Sequence, residues 1–453
     1  MTKIAKSKYT HRFLARIVFE AKTPLAVGSG EKDVTTDALV ATDVNGLPYI
    51  PSTALAGVVR SMLEQSGNQI DTIFGFQQKS DGKGSEIIFS EAKIINSKGE
   101  VIDGLNQNAA TDSLLKEYKA LPIRQHVRIN EKGGTDKGGK FDEQVVFAGS
   151  RFCFEIEMVS DGKTRDVFNA ALNQLNDKTF RIGSGSRNGF GEIEVVSLKT
   201  KELDLSQPND LDSYLAKSSN LADTAFWDSV SNNSKTSSTN STEEWTEYKL
   251  TISPDDFFLF GSGFGDDKTD ITPVRARKVV WNNGVGSLED KFTLIPATSV
   301  KGALAHRVAF HWNKLNKLYA GNPDAKTGGK NEAVQILFGY EDGETQKRGN
   351  LIFSDVIEAP LPDKIINHVS IDRFTGGAME GALFSEATLF GKGQSYTLTI
   401  LAKNSVLEGC VKEALELAIN DICTGMLPLG GGVNRGNGVF NGSFTRNGEQ
   451  YGK

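Results

Sequence analysis

Cysteine is scarce in this 453-residue chain: only Cys153, Cys410 and Cys423 are present. They form no CxxC spacing and no even set, so neither a disulfide framework nor a zinc site is expected, and a reducing, cytoplasmic compartment is. Long apolar runs are missing too, and nothing approaches the ~20 residues that a membrane span needs. The opening stretch Met-Thr-Lys-Ile-Ala-Lys-Ser-Lys-Tyr is basic but lacks the apolar core and small-residue cleavage site of a secretory leader. Positive charge is not in surplus. The net charge of −6 excludes a protein that coats nucleic acid through a broad excess of Lys and Arg. What remains, 38% hydrophobic and 24% charged, is the composition of a globular protein long enough for two or three domains.

What is present is present twice. Gly28-Ser29-Gly30, Asp37 and the run Ile50-Pro51-Ser52-Thr53-Ala54-Leu55-Ala56-Gly57 recur as Gly261-Ser262-Gly263, Asp270 and Ile295-Pro296-Ala297-Thr298-Ser299-Val300-Lys301-Gly302. Ile73-Phe74-Gly75, Ile88-Phe89-Ser90 and His126-Val127 recur as Leu337-Phe338-Gly339, Ile352-Phe353-Ser354 and His368-Val369. Each half closes on a glycine-rich loop, Gly183 to Gly191 and Gly430 to Gly438. The landmarks are offset by about 245 residues in a fixed order, which chance does not produce, so the chain reads as two copies of one domain. The expected boundaries are 1–202 and 245–453. The stretch 203–244 is expected to be a linker, because its Ser, Asn and Thr content cannot build a core, although Trp227 is suited to dock locally.

Within each copy the pattern is β-α-β-β-α-β. Opening strands are expected near 13–20 and 248–252, helices over 54–64, 166–175, 300–315 and 406–422, and closing strands over 191–198 and 438–444. Ser52-Thr53 and Ala297-Thr298 after a proline provide the expected helix starts. The expected fold class is α+β, two tandem ferredoxin-like domains with a long insertion between the middle strands.

Two basic stretches stand out against the acidic whole. Residues 121–140 hold Arg124, Arg128, Lys132, Lys137 and Lys140 against Glu131 and Asp136, and 271–280 hold Arg275, Arg277 and Lys278 with no acid. A solvated face is the plain reading of any one cluster, and proximity to the duplicated landmarks favours a groove that tracks a phosphate backbone. The glycine-rich loops permit close approach to phosphates, and their Arg187 and Arg435 suit phosphate contact or base stacking. No Walker lysine follows either loop, which disfavours nucleotide hydrolysis. His126 and His368 fit proton transfer, phosphate contact or simple packing, while His306 and His311, five apart on a helix, are read as structural.

Taken together, the GSG-x6-Asp block, the Ile-Pro helix start and the segment His368-Val-Ser-Ile-Asp-Arg-Phe-Thr-Gly-Gly-Ala resemble the RAMP superfamily of CRISPR proteins. In particular the chain resembles the backbone subunits of type III effector complexes, in a fused double form. The resemblance implies a modified RNA-recognition fold that lines up along a guide CRISPR RNA with other RAMP-type subunits. It implies a thumb that displaces one nucleotide in six of the guide-target duplex, and a loop aspartate that cleaves the complementary target RNA at regular spacing with a divalent cation, Mg or Mn.

Carried over, the catalytic aspartates are Asp37 and Asp270, with Asp33, Asp266 and Asp267 close enough to compete. The metal ligands stay open. The second copy departs from the pattern by reading Lys291-Phe292-Thr293-Leu294 before its Ile-Pro. The RNA contacts are Arg124, His126, Arg128, Arg187, Arg275, Arg277, His368, Arg373 and Arg435. Phe374, Thr375, Met379 and Phe384 suit a wedging thumb in the second copy, whereas the first has Gly133-Gly134-Thr135-Asp136-Lys137-Gly138-Gly139 there and is expected to be weaker. The plain alternative for each aspartate is turn chemistry. At the level of the protein the alternatives are an inert guide-RNA scaffold and, with His306 in view, an enzyme that processes precursor guide RNA.

Overall fold

The run Phe13 to Ala21 is apolar enough to be buried on both faces, and it becomes the central strand of the first half. The computed structural model describes residues 9–34, 36–65, 70–78, 81–107, 109–130, 132–232, 244–342 and 345–451. The N-terminal residues 1–8 and the centre of the Ser/Asn/Thr-rich stretch, 233–243, therefore lie outside the described residues.

In chain order the first half contains β1 (His11–Ala21), α1 (Ser52–Gln65), β2 (Ile87–Phe89), β3 (Ile123–Ile129), β4 (Thr135–Gln144), β5 (Arg151–Ser160), α2 (Arg165–Gln174) and β6 (Ile193–Asp204). The second half contains β7 (Trp245–Pro254), β8 (Arg275–Asn282), β9 (Val285–Ile295), α3 (Ala297–Leu315), β10 (Leu351–Phe353), β11 (Asp363–His368), β12 (Phe384–Phe390), β13 (Tyr396–Lys403), α4 (Gly409–Cys423) and β14 (Phe440–Arg446). The main sheets run β2-β5-β1-β6 and β10-β13-β7-β14, all antiparallel. Both place the first strand beside the third and fourth, the strand order of a ferredoxin-like domain.

Helices cover one face of each sheet, and their spacing explains why. Leu55, Val59 and Leu63 recur every four residues on α1 and are buried, as are Val300, Leu304 and Val308 on α3 and Leu415, Ile419 and Ile422 on α4. Each such side chain contributes about 1.5–3 kcal/mol on burial. One expected cap is corrected. The helix α3 begins at Ala297 with no side-chain cap of its own, and Asp355 from a distant turn accepts the Ala297 N–H at 2.8 Å.

The described part of the 203–244 stretch is not a loose tether. Residues Pro208–Leu215 and Ala225–Asp228 are helical. Trp227 is buried with Leu14 and Leu203, and its indole N–H donates to Glu155 at 2.6 Å. Tyr214, Phe226 and Val230 pack around the same cluster, and the Tyr214 hydroxyl donates to Glu157 at 2.6 Å, so this polar segment is held against the first sheet.

Between the middle strands each half projects a hairpin. β3 and β4 form the first, and β11 and β12 form the second with the loop 369–383 at its tip. The second half adds another hairpin, β8–β9, where the first half has only a tight turn closed by the Thr42–Pro48 bridge. That insertion is the reason for the unmatched Lys291-Phe292-Thr293-Leu294. Its Val279 is buried in the hydrophobic core of the first half, so the two halves share a core.

Candidate active site and nucleic-acid interface

The duplicated glycines shape two matching loops. Gly30 and Gly263 hold φ of +82° and +87°, turns that favour glycine. Ser29 N–H then donates to Leu39 O, and Ser262 N–H to Thr272 O, both at 2.9 Å. Each loop brings its aspartate to the second strand of the projecting hairpin. In the first half the Asp37 N–H donates to Asp142 O at 3.1 Å, and the Asp142 N–H returns to Asp37 Oδ2 at 3.0 Å. In the second the Asp270 N–H donates to Ser385 O at 3.0 Å, and the Ser385 N–H returns to Asp270 Oδ2 at 2.7 Å. Ser385 Oγ adds a bond to the same oxygen at 3.0 Å. Both aspartates are exposed. The Ser385 N–H and then its hydroxyl hold the Asp270 carboxyl below the usual carboxylate range.

The neighbouring aspartates separate cleanly. Asp33 accepts the Thr36 N–H at 2.6 Å, and Asp266 accepts those of Lys268 and Thr269. These are turn roles at matched places. Asp267 is exposed on the same loop.

Behind each aspartate lies a buried glutamate that the sequence reading passed over. Glu143 and Glu386 are 4% and 1% exposed. His126 Nε2 lies 2.9 Å from Glu143, and His368 Nε2 lies 3.1 Å from Glu386. Burial pushes Glu386 up, but Arg435 at 2.6 Å, His368 and Asn437 outweigh it and hold it below its ordinary value. The signal was available in the repeated Phe141-Asp-Glu143 and Phe384-Ser-Glu386. Both histidines are thus held by a carboxylate at the hairpin base, and Arg435 shares that carboxylate.

The exposed apolar residues gather on the hairpins. Phe374 is 99% exposed at the tip of the second, on a turn in which Asp372 accepts the Phe374 and Thr375 N–H groups at 2.8 and 2.7 Å. Met379 is exposed beside it, while Phe384 is partly covered and stacks on His368 at 4.7 Å. The first hairpin, whose glycine-rich tip is expected to wedge more weakly, carries Val127, Ile129 and Phe141 exposed on its flanks. Arg128 and Arg373 are exposed on the two hairpins. The side chain of Lys137 and the residue Glu131 lie outside what is described.

Besides Arg435 on Glu386, four more of the arginines expected to contact RNA have partners within the protein. Arg124 pairs at 2.5 Å with Asp355, whose side chain is 1% exposed. Arg187 donates to Gly349 O at 3.1 Å and lies over Trp245; burial, with Arg348 and Arg181 nearby, lowers it to about 9. Arg275 pairs with Asp363, and Arg277 with Glu117 and Asp290 at 2.7 Å each. The stretch that looked like a phosphate groove is a hairpin docked on the first half, where Trp281 Nε1 donates to Gly149 O at 2.8 Å. Its acids were invisible because Glu117 is remote in sequence. His306 likewise contacts Ile129 O across the joint at 3.2 Å, and His311 pairs with Asp421 at 2.6 Å.

Comparison with known proteins agrees with the duplication. The family model described as the RAMP superfamily matches residues 18–194 and again 251–441. Among curated proteins the chain is 29% identical over 205 residues to the CRISPR system Cms endoribonuclease Csm3 of Methanocaldococcus jannaschii, covering 40% of this chain and 77% of that protein. With the same strand order, the same aspartate loop and the same projecting hairpin in both matched segments, the chain belongs to the RAMP superfamily and carries its domain twice.

Proposed function

We propose that this chain is a guide-RNA-binding backbone subunit of a type III CRISPR effector, and that it cleaves complementary target RNA at two regularly spaced positions. The observation that carries the reading is the identical seating of Asp37 and Asp270, each with Oδ2 fixed by a hairpin N–H and the carboxylate exposed. The family match and the endoribonuclease relative support it.

Cleavage of RNA by its own 2′-hydroxyl requires that hydroxyl in line with the leaving 5′-oxygen, a group to take its proton and a means of spreading charge on the phosphorane. The exposed aspartate at the hairpin base serves as the proton acceptor or as an anchor for the phosphate-bound cation. Phe374 at one tip, and Val127, Ile129 and Phe141 on the other hairpin, supply apolar faces that unstack a base and turn the sugar toward the in-line arrangement. Arg128 and Arg373 provide phosphate contacts, and base pairing with the guide supplies sequence specificity.

A divalent cation, Mg or Mn, fits this site only with help from the RNA. Among the described residues no group of three or more His, Cys, Asp or Glu is placed to hold a metal. One carboxylate with phosphate oxygens and water satisfies Mg²⁺, and the first half adds the buried, unpartnered Oδ1 of Asp142 beside Asp37. The cation would neutralise charge on the phosphorane.

The scaffold reading also has an observation in its favour, since each aspartate already has a structural task as acceptor for the hairpin N–H. Precursor processing through His306 is disfavoured, because that ring contacts backbone in the joint. Among the described residues no helix is long and apolar enough to cross a membrane.

The deciding experiment is cleavage of end-labelled complementary RNA by the assembled complex with Mg²⁺. Asp37→Ala and Asp270→Ala are each expected to remove one band, from positions six nucleotides apart, with RNA binding retained. Identical ladders with intact binding assign the chain to the scaffold role.

A further inference from the structure

The joint between the halves is a heterologous contact, one face of a domain against a different face of its copy. Such a contact generates an open array wherever the free faces match. The first half contributes Arg124 from its hairpin, the glycine-rich loop and the surface around Phe147 and Gly149. The second contributes Asp355, the start of α3 and the β8–β9 hairpin. The approach is close at Gly189, φ +104°, where an added Cβ would lie 2.5 Å from Ala297 Cβ and 2.6 Å from Asp355 Oδ1.

Strand register identifies the corresponding residues on the two outward faces. Arg124 lies opposite Glu143 across its hairpin, and Ile366 lies opposite Glu386 across the other. In the same way Phe147 corresponds to Phe390, through the Leu25–Val146 bridge and the Phe258–Leu389 pair. Ser90-Glu91 corresponds to Ser354-Asp355. The outward face of the second half keeps the backbone device: Gly436 has φ +92° and nothing within 4 Å. It has lost the charge, with Ile366 in place of Arg124. Its aromatic Phe390 is 43% exposed, against 1% for Phe147.

The outward face of the first half has changed as well. Where α3 meets a lone Asp355, it carries Glu91 already paired with Lys93 at 2.6 Å, and the tight Thr42–Pro48 turn replaces the β8–β9 hairpin. Docked on the second half of another copy, it would bury an ion pair against Ile366 with no new partner and would send no hairpin toward Phe390. Burial of charge without compensation is unfavourable.

We propose that the chain does not polymerise through its own ends, and that the outward face of the second half takes a different protein. That protein is a domain of the same family presenting a β-hairpin over Phe390 and an uncharged side chain opposite Ile366. The identity of the partner rests on the reading given under Proposed function, whereas the failure to self-associate does not.

Sedimentation of the purified chain without RNA, up to tens of micromolar, separates the two parts. A single monomeric species is expected. A variant carrying Ile366→Arg, with residues 43–47 replaced by the 276–292 hairpin, is expected to gain mass with concentration. Self-association of the unaltered chain that Phe390→Asp abolishes overturns the proposal, and so does a folded graft that stays monomeric.

A second measurement covers a graft that does not fold. With a protease site placed in 233–240, the nicked chain is expected to elute as one particle, and Arg124→Ile, which copies the outward face onto the joint, is expected to let the halves separate. Equal retention in both overturns the role of the charge. In the assembled effector Phe390→Asp is expected to release the neighbouring protein on that side, and a second copy of this chain found there overturns the partner assignment.

Discussion

At matched places in the two halves, Gly189 and Gly436 hold nearly the same backbone angle, yet one is pressed against Ala297 and Asp355 and the other faces open space. The same contrast runs through the loops around them. Arg187 is half-buried over Trp245, while Asn434 at the matched place is exposed. Duplication preserved the strand order and the aspartate seat, and it freed the outer surfaces to diverge. A residue's role in a repeat is therefore set by what adjoins its copy, and pattern matching alone assigns it wrongly.

The largest blow to this comparison is Asp355→Ala. It leaves Arg124 without its counter-charge and α3 without its cap, a loss of about 3–5 kcal/mol. Chemical denaturation should then resolve two transitions in place of one. Glu91→Ala at the matched outer position should change the midpoint little, because that ion pair is exposed.

Next in size is the wedge. Phe374→Ala should weaken the second cut by the equivalent of about 1–3 kcal/mol, the worth of one aromatic stacked on a base, and leave the first cut intact. Phe141→Ala should do the reverse, measured by the two bands of the same labelled RNA.

Ser385→Ala is a subtler probe. The Ser385 N–H and hydroxyl hold the Asp270 carboxyl below its ordinary value, so loss of the hydroxyl lets it rise. The acid limb of the second cut should then shift to higher pH, with a rate loss under about tenfold at neutral pH. The first cut, whose matched residue is Asp142, should keep its profile. By linkage, the stability that Asp270 contributes is present above its unfolded-state value and is lost as pH falls through the lower folded one.

The smallest effect belongs to Lys301, which burial and the nearby Arg187 lower to about 8. Between that value and the ordinary 10.5 the unfolded chain binds the extra proton, so the contribution of this lysine to stability rises with pH across the window. Lys301→Met should flatten that rise and shift the thermal midpoint by about 2–4 °C.

The sheet order and helices were legible because apolar periodicity and the doubled landmarks are local signals. Leu55, Val59 and Leu63 announce their helix face without any tertiary knowledge, and Asp37 and Asp270 stand out by position. The joint was not legible. Arg275 and Arg277 look like a phosphate track because Glu117 and Asp363, which neutralise them, come from other elements. The cap of α3 was misread for the same reason, since Asp355 reaches it from a separate turn. Glu143 and Glu386 do recur two residues after Phe141 and Phe384, but only the fold shows that they are buried beneath the paired histidines.

The sharing of Val279 between halves sets an order on synthesis. The first sheet closes when β6 ends at Asp204, but the apolar patch that receives Val279 waits for the β8–β9 hairpin. The interval is about 75 residues, roughly 4–15 s of translation at about 5–20 residues per second. During that time a nearly finished domain displays an uncovered seam to the nascent chain's surroundings. The hairpin that later joins the two halves thus also ends the first half's exposure on the ribosome, and a pause before codon 279 would lengthen it.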